Sequence, residues 1–113
     1  MTNVTDVEEV EENGMPYLVG MEGIVAGSRF LLSSPKMTIG RDDDNDIAVS
    51  DKTISRRHAA LVRDEKYGYQ LIDEQSANGV YVNNLRVARI FLQTGDRIKI
   101  GDCQFRFESG SVK

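Results

Sequence analysis

The chain has 113 residues, 40% of them hydrophobic, which suits one domain with its own core and is too short for two. No apolar run approaches the roughly 20 residues of a membrane span, and the start of the chain lacks the positive-then-apolar layout of a secretory leader, so a soluble, cytoplasmic protein is expected. One cysteine, Cys103, excludes an internal disulfide, and with one histidine, His58, it is too little for a common zinc site, so neither a metal nor a cofactor is expected.

Residues 1–14 read as a disordered acidic arm. Residues 1–12 hold Asp6, Glu8, Glu9, Glu11 and Glu12 and no Lys or Arg, a charge of −5. The whole chain carries −4, so residues 13–113 carry about +1. A nearly neutral body argues against bulk attraction to nucleic acid. Thr2 and Thr5 lie in the arm as candidate phosphorylation sites, and Thr5 precedes the acidic stretch Asp6-Val7-Glu8-Glu9.

Residues 15–109 then read as one domain, ahead of a frayed end at 110–113. Short runs rich in β-branched and aromatic residues alternate with Gly, Asp, Asn and Ser. Strands are expected at 17–21, 28–32 and 37–39. The next segment, Gly40-Arg41-Asp42-Asp43-Asp44-Asn45-Asp46, is a loop. A glycine there allows an unusual backbone turn, and an arginine fork suits a phosphate. Taken alone, these residues favour the plainer reading of a surface arginine paired with its neighbouring aspartates. Asp42, Asp44 and Asp46 have the first spacings of an EF-hand, but Ile47 and Thr53 stand where glycine and glutamate belong. Asn45 and Asp46 instead suit a loop folded by side-chain-to-backbone bonds.

A strand at 47–49 leads into Ser50-Asp51-Lys52-Thr53-Ile54-Ser55-Arg56-Arg57-His58, the densest basic cluster of the chain. A hydroxyl among several cations is good phosphate chemistry; a solvated turn with incidental charge is the plainer alternative. Ser55 and His58 could pair as nucleophile and base, but nothing marks an orienting acid or an oxyanion hole. His58 reads better as a packed strut. Strands at 59–63 and 69–72 precede Asp73-Glu74-Gln75-Ser76-Ala77-Asn78-Gly79, whose Asn-Gly is a tight-turn signal. Strands follow at 80–82, 85–87, 90–92, 97–100 and 104–108. In Arg97-Ile98-Lys99-Ile100 polar and apolar residues alternate, as in a half-buried strand. Cys103 reads as a buried strand thiol. No helical stripe is evident, and the turn spacing suits an all-β sandwich.

Three motifs stand in order on this background: Gly40-Arg41, Ser55-Arg56-Arg57-His58 and Asn78-Gly79. Together they resemble the forkhead-associated (FHA) family. The resemblance implies an eleven-stranded β-sandwich with the three loops clustered at one end. It also implies a module that binds phosphothreonine peptides downstream of a Ser/Thr kinase, and not an enzyme. Arg41, Ser55 and Arg56 would hold the phosphate. Asn78, with Ala77 and Arg57 in the same motifs, would meet the peptide. Gly40, His58 and Gly79 would shape the loops. Ala77 stands where many members have threonine, which removes one hydroxyl. The expected partner is a phosphothreonine protein met by a monomer, with neither nucleic acid nor membrane, and a phosphorylated arm could bind its own pocket. A structural or oligomerising β-domain without phosphopeptide binding is the alternative.

Overall fold

The computed structural model describes residues 14–110. The expected arm apart from Gly14, including Thr2 and Thr5, lies outside the described residues, as does the expected frayed end apart from Gly110. Eleven strands run through the described residues: β1 Tyr17–Glu22, β2 Arg29–Leu31, β3 Lys36–Gly40, β4 Ile47–Ala48, β5 Ala59–Asp64, β6 Gly68–Asp73, β7 Val80–Val82, β8 Leu85–Val87, β9 Arg89–Phe91, β10 Arg97–Ile100 and β11 Cys103–Glu108. A single 3-10 turn, Gly23–Val25, is the only helical piece among them. No helix there is long and apolar enough to cross a membrane.

Alternation makes these strands. Along β11, Cys103, Phe105 and Phe107 are buried while Gln104, Arg106 and Glu108 are only partly covered. Along β10, Ile98 and Ile100 are buried between exposed Arg97 and Lys99. Such a period of two puts one face of each sheet in the core. The sheets are six-stranded, in the order β2-β1-β11-β10-β7-β8, and five-stranded, in the order β4-β3-β5-β6-β9. Leu18, Val80, Ile98, Ile100 and Phe105 from the first pack with Ile39, Leu61 and Leu71 from the second. The eleven-stranded sandwich is therefore the observed architecture.

The strand expected at 90–92 is observed as β9, Arg89–Phe91. Leu92 leaves the ladder and is buried, while its N–H bonds the Tyr69 carbonyl at 2.9 Å. An apolar run of Ile-Phe-Leu offers no alternation to fix the end of so short a strand. Cys103 is fully buried, and that burial pushes its thiol pKa up.

What the fold contributes to function is the placement of loops. β5 pairs with β3 and β6, so the segments before β5 and after β6 emerge at the same end of the sandwich. β4 runs parallel to β3, with only Ile39↔Ile47 and Gly40↔Ala48 in register. So short a parallel pair fixes little by itself. The connecting loop is secured by Asp46, whose Oδ2 accepts the Thr38 N–H at 2.9 Å and whose own N–H donates to Thr38 Oγ1 at 3.1 Å.

Candidate functional site

The loop joining β3 to β4, the loop joining β4 to β5 and the loop joining β6 to β7 are tied to one another. Asn45 is buried in the first loop, and its Nδ2 donates to the carbonyls of Asp42 at 2.9 Å and of Arg56 at 2.8 Å. The N–H groups of Arg41 and Asp42 add bonds to the carbonyls of Ser55 and Arg56, at 3.0 and 3.2 Å. Gly40 lies under this crossing. A Cβ on it would stand 2.2 Å from the Arg56 carbonyl oxygen and 2.7 Å from Asn45 Nδ2. The glycine is required by close approach of two backbones, not by the unusual turn that its sequence position suggests.

His58 binds the second loop to the third. It is fully buried. Its Nδ1 accepts the Ser55 N–H at 3.0 Å, and its Nε2 stands 2.8 Å from the Gly79 carbonyl oxygen. Accepting at Nδ1 assigns the ring proton to Nε2, so both ring nitrogens are satisfied by backbone. Neither faces the Ser55 hydroxyl. That hydroxyl instead accepts the Ala77 N–H at 3.0 Å. Ser55 and His58 therefore lack the nucleophile–base contact that a hydrolase needs. Gly79 has φ +84°, and a Cβ there would meet the Arg86 guanidinium at 2.7 Å. This is the positive-φ turn that Asn-Gly predicts.

Between the loops lies an open cleft of about 350 Å³, lined by Arg41, Lys52, Thr53, Ile54, Ser55, Arg56, Ala77 and Asn78. Arg41 NH1 donates to the Ile54 carbonyl at 2.9 Å. One bond of this kind aims the guanidinium while leaving most of its five N–H donors for a ligand. Ser55 Oγ, as an acceptor from Ala77, keeps its own proton to donate. Asn78 Nδ2 donates to the Thr53 carbonyl at 2.8 Å, which positions the side chain at the rim of the cleft. Ala77 contributes its N–H inward and only a methyl to the rim.

Charge is sorted around this cleft. Arg41, Lys52 and Arg56 line it, and no carboxylate does among the described residues. Three of the nearby acids are engaged elsewhere. Asp46 is held by Thr38, as above. Asp44 pairs with Arg57 at 3.5 Å, both exposed, so Arg57 lies in the same loop without entering the cleft. Asp51 Oδ1 accepts the Thr53 hydroxyl at 2.5 Å and the Thr53 N–H at 2.8 Å. Those two bonds, the hydroxyl first, hold the Asp51 carboxyl below the usual carboxylate range.

Thr53 has a structural role in the site that its place in the sequence does not announce. Its carbonyl holds Asn78, and its hydroxyl accepts the Asp102 N–H at 2.8 Å, from the turn between β10 and β11. The readable part of its signal was Asp51-Lys52-Thr53, the spacing of an Asx turn. Lys52 was visible as a member of the basic cluster, but its place in the cleft follows only from the fold.

Comparison with known proteins identifies the family. The FHA domain family model matches residues 37–101, more than half of the chain. The glycogen accumulation regulator GarA of Mycolicibacterium smegmatis is 43% identical over 98 residues, covering 87% of this chain and 61% of that protein. The oxoglutarate dehydrogenase inhibitor of Corynebacterium glutamicum is 41% identical over 100 residues, covering 88% of this chain and 69% of that protein. This chain thus spans roughly three-fifths to two-thirds of the length of these relatives. Among solved structures, Mycobacterium tuberculosis EmbR in complex with a low-affinity phosphopeptide superposes with a TM-score of 0.79 at 34% identity, over 88% of this chain and 26% of that one. With the three loops gathered around a basic cleft and the family model spanning them, the chain belongs to the FHA-domain family.

Proposed function

We propose that this chain is a phosphothreonine-dependent binding module of kinase signalling, and that the cleft between its three loops takes the phosphate. One observation carries the reading: Arg41, Lys52 and Arg56 converge with the donor hydroxyl of Ser55 in a cleft that no carboxylate lines among the described residues. A phosphate brings about −1.5 to −2 charges and three acceptor oxygens, enough for Arg41, Ser55 and Arg56 together. Asn78, fixed by Thr53, takes the ligand main chain, with Ala77 beside it and Arg57 at the outer edge of the same loop. Gly40, His58 and Gly79 keep the loops in register. The phosphopeptide complex of EmbR and the regulator and inhibitor names of the curated relatives agree with this reading.

In this reading the domain at 15–109 acts as a monomer in the cytoplasm, downstream of a Ser/Thr kinase, and recognises rather than catalyses. Phosphorylation of Thr5, or of Thr2, would supply a ligand in cis or from a second copy. Preparing the chain with phosphothreonine at position 5 tests that extension. Unchanged affinity for an outside phosphopeptide and no dimer would end it.

The main test is a calorimetric titration with phosphothreonine, threonine and aspartate versions of one peptide. Binding is expected for the phosphopeptide alone and should weaken with salt, because several cations meet the phosphate. An aspartate has one charge and a planar head, so it fails to satisfy the three side chains at once. Equal affinity for all three peptides would replace the phosphate site with an ordinary peptide groove.

A further inference from the structure

The outward face of the six-stranded sheet carries a charge pattern that the cleft does not use. Register assigns its members. Leu18, Val82, Ile98 and Phe105 point into the core, so their strand neighbours point out. Arg29 stands opposite Val19, Val19 opposite Arg106, and Arg106 opposite Arg97. One step along, Lys99 stands between Gln104 and Tyr81, and Tyr81 is opposite Arg86. Arg29, Arg86, Arg97 and Lys99 are exposed, and Arg106 is partly so.

The acids on these strands are Glu22, which accepts from Gln104, and Glu108, which pairs with Arg106. Five cations against two carboxylates leave about +3 on one face of a chain whose net charge is −4. Arg97 directly opposite Arg106 is a like-charge cross-strand pair, which disfavours the sheet.

We propose that in the unphosphorylated protein the acidic segment 6–12 of this same chain lies across that face. Two observations select this occupant. The first is charge: Asp6, Glu8, Glu9, Glu11 and Glu12 bring −5 with no base among residues 1–12. The second is attachment. The first strand after residues 6–12 in the sequence is β1, a member of this sheet, which begins at Tyr17. Tyr17 is in register with Glu108 and Leu31 on the outward face, yet it is only 5% exposed, and the Arg29 guanidinium lies 5.0 Å from its ring centroid.

Reach is sufficient. From β1 across β11 and β10 to β7 is three strand spacings, about 14 Å at ~4.8 Å each. Glu12 and Asp6 precede Tyr17 by five and eleven residues, a span of roughly 17 to 40 Å at ~3.3–3.6 Å per residue. Tethering gives the segment an effective concentration on the order of millimolar. It therefore shields the face from outside polyanions. This inference does not rest on phosphate recognition in the cleft.

The test uses the full chain with a nitroxide label at Val10→Cys. Cys103 is fully buried, with its thiol pKa pushed up, so the label goes to position 10. Amide signals of Arg97, Lys99, Gln104 and Arg106 are expected to lose more than half their intensity at ~0.01 M salt. They should recover it at ~1 M, where the screening length falls from about 30 to about 3 Å. The Arg97→Glu/Lys99→Glu variant should also recover it. Both substituted side chains are exposed, and retained spectral dispersion checks its fold.

Broadening confined to the neighbours of Tyr17 and indifferent to both changes would overturn the proposal. So would broadening centred on Lys52 and Arg56. A short RNA supplies the last arm of the experiment. If it shifts the face amides equally in the wild-type chain and in one with Glu8, Glu9, Glu11 and Glu12 changed to Gln, the face belongs to an outside polyanion and not to this segment.

Discussion

The two ends of the sandwich are built by different means. At the end bearing the cleft, loops are held by bonds between loops: Asn45 to the Arg56 carbonyl, His58 to Gly79, Ala77 to Ser55, Asn78 to Thr53 and Thr53 to Asp102. At the far end the turn between β5 and β6 is held locally, by Asp64 Oδ1 accepting the N–H groups of Lys66 and Tyr67 at 2.7 and 2.9 Å. The far end also has the larger hollow, about 500 Å³, lined by Tyr67, Tyr69, Leu92 and Phe107 among others, with Arg63 beside Asp64 and Glu65. Volume is therefore a poor guide to the site here. The smaller cleft is the one where cations of one sign and a donor hydroxyl converge and where distant residues fix the geometry.

The contrast predicts unequal consequences for substitutions. The largest is expected from Arg41→Ala. A charge-assisted bond is worth about 1.5–3 kcal/mol, or roughly 10- to 150-fold in affinity, while the melting temperature should move little. Ser55→Ala, which removes a neutral donor, should cost less in the same phosphopeptide titration. Binding by Arg41→Ala within threefold of wild type would remove the cleft from consideration.

His58→Ala comes next and acts on both properties. It leaves the Ser55 N–H and the Gly79 carbonyl without their partner, at about 1–3 kcal/mol for each buried group that stays unsatisfied. Chemical denaturation should register that loss together with weaker binding. Lost binding at unchanged stability would make His58 a ligand contact and not a strut.

A smaller effect is expected from pH. The folded-state pKa of Asp51 is depressed below its ordinary 3.8 by the Thr53 hydroxyl and N–H. Its contribution is thus present above the unfolded value and is lost as pH falls through the lowered folded value. Wild type should lose more stability than Asp51→Asn on acidification below about pH 4, measured by melting curves. Parallel curves would detach Asp51 from the loop.

Smallest of all is Asp64→Ala at the far end. Loss of a local, exposed turn bond should lower stability by about 1 kcal/mol or less and leave phosphopeptide affinity unchanged. An affinity change as large as that of Ser55→Ala would show that the two ends are not independent.

The same contrast explains what could be read from the sequence. Strand alternation is local, so β7, β8 and β10 fall at the expected residues, and the others differ only at their ends. Gly40, Arg41, Ser55, His58, Asn78 and Gly79 stand out because their types are informative at their positions. Thr53 did not, since its hydroxyl answers a residue 49 positions away. At Gly40 the sequence suggests an unusual turn, whereas the carbonyl that forbids a side chain belongs to Arg56 in another loop. Arg57 illustrates the limit from the other side. It is next to Arg56 in sequence, yet the turn sends it to Asp44.

The most direct test follows backbone amide signals during a phosphothreonine-peptide titration. Saturable shifts are expected at Arg41, Ser55, Ala77 and Asn78, with none at residues 64–68, and the unphosphorylated peptide should reproduce none of them. Shifts concentrated at the far hollow, or equal shifts with both peptides, would contradict the assignment of phosphate recognition to the three-loop cleft.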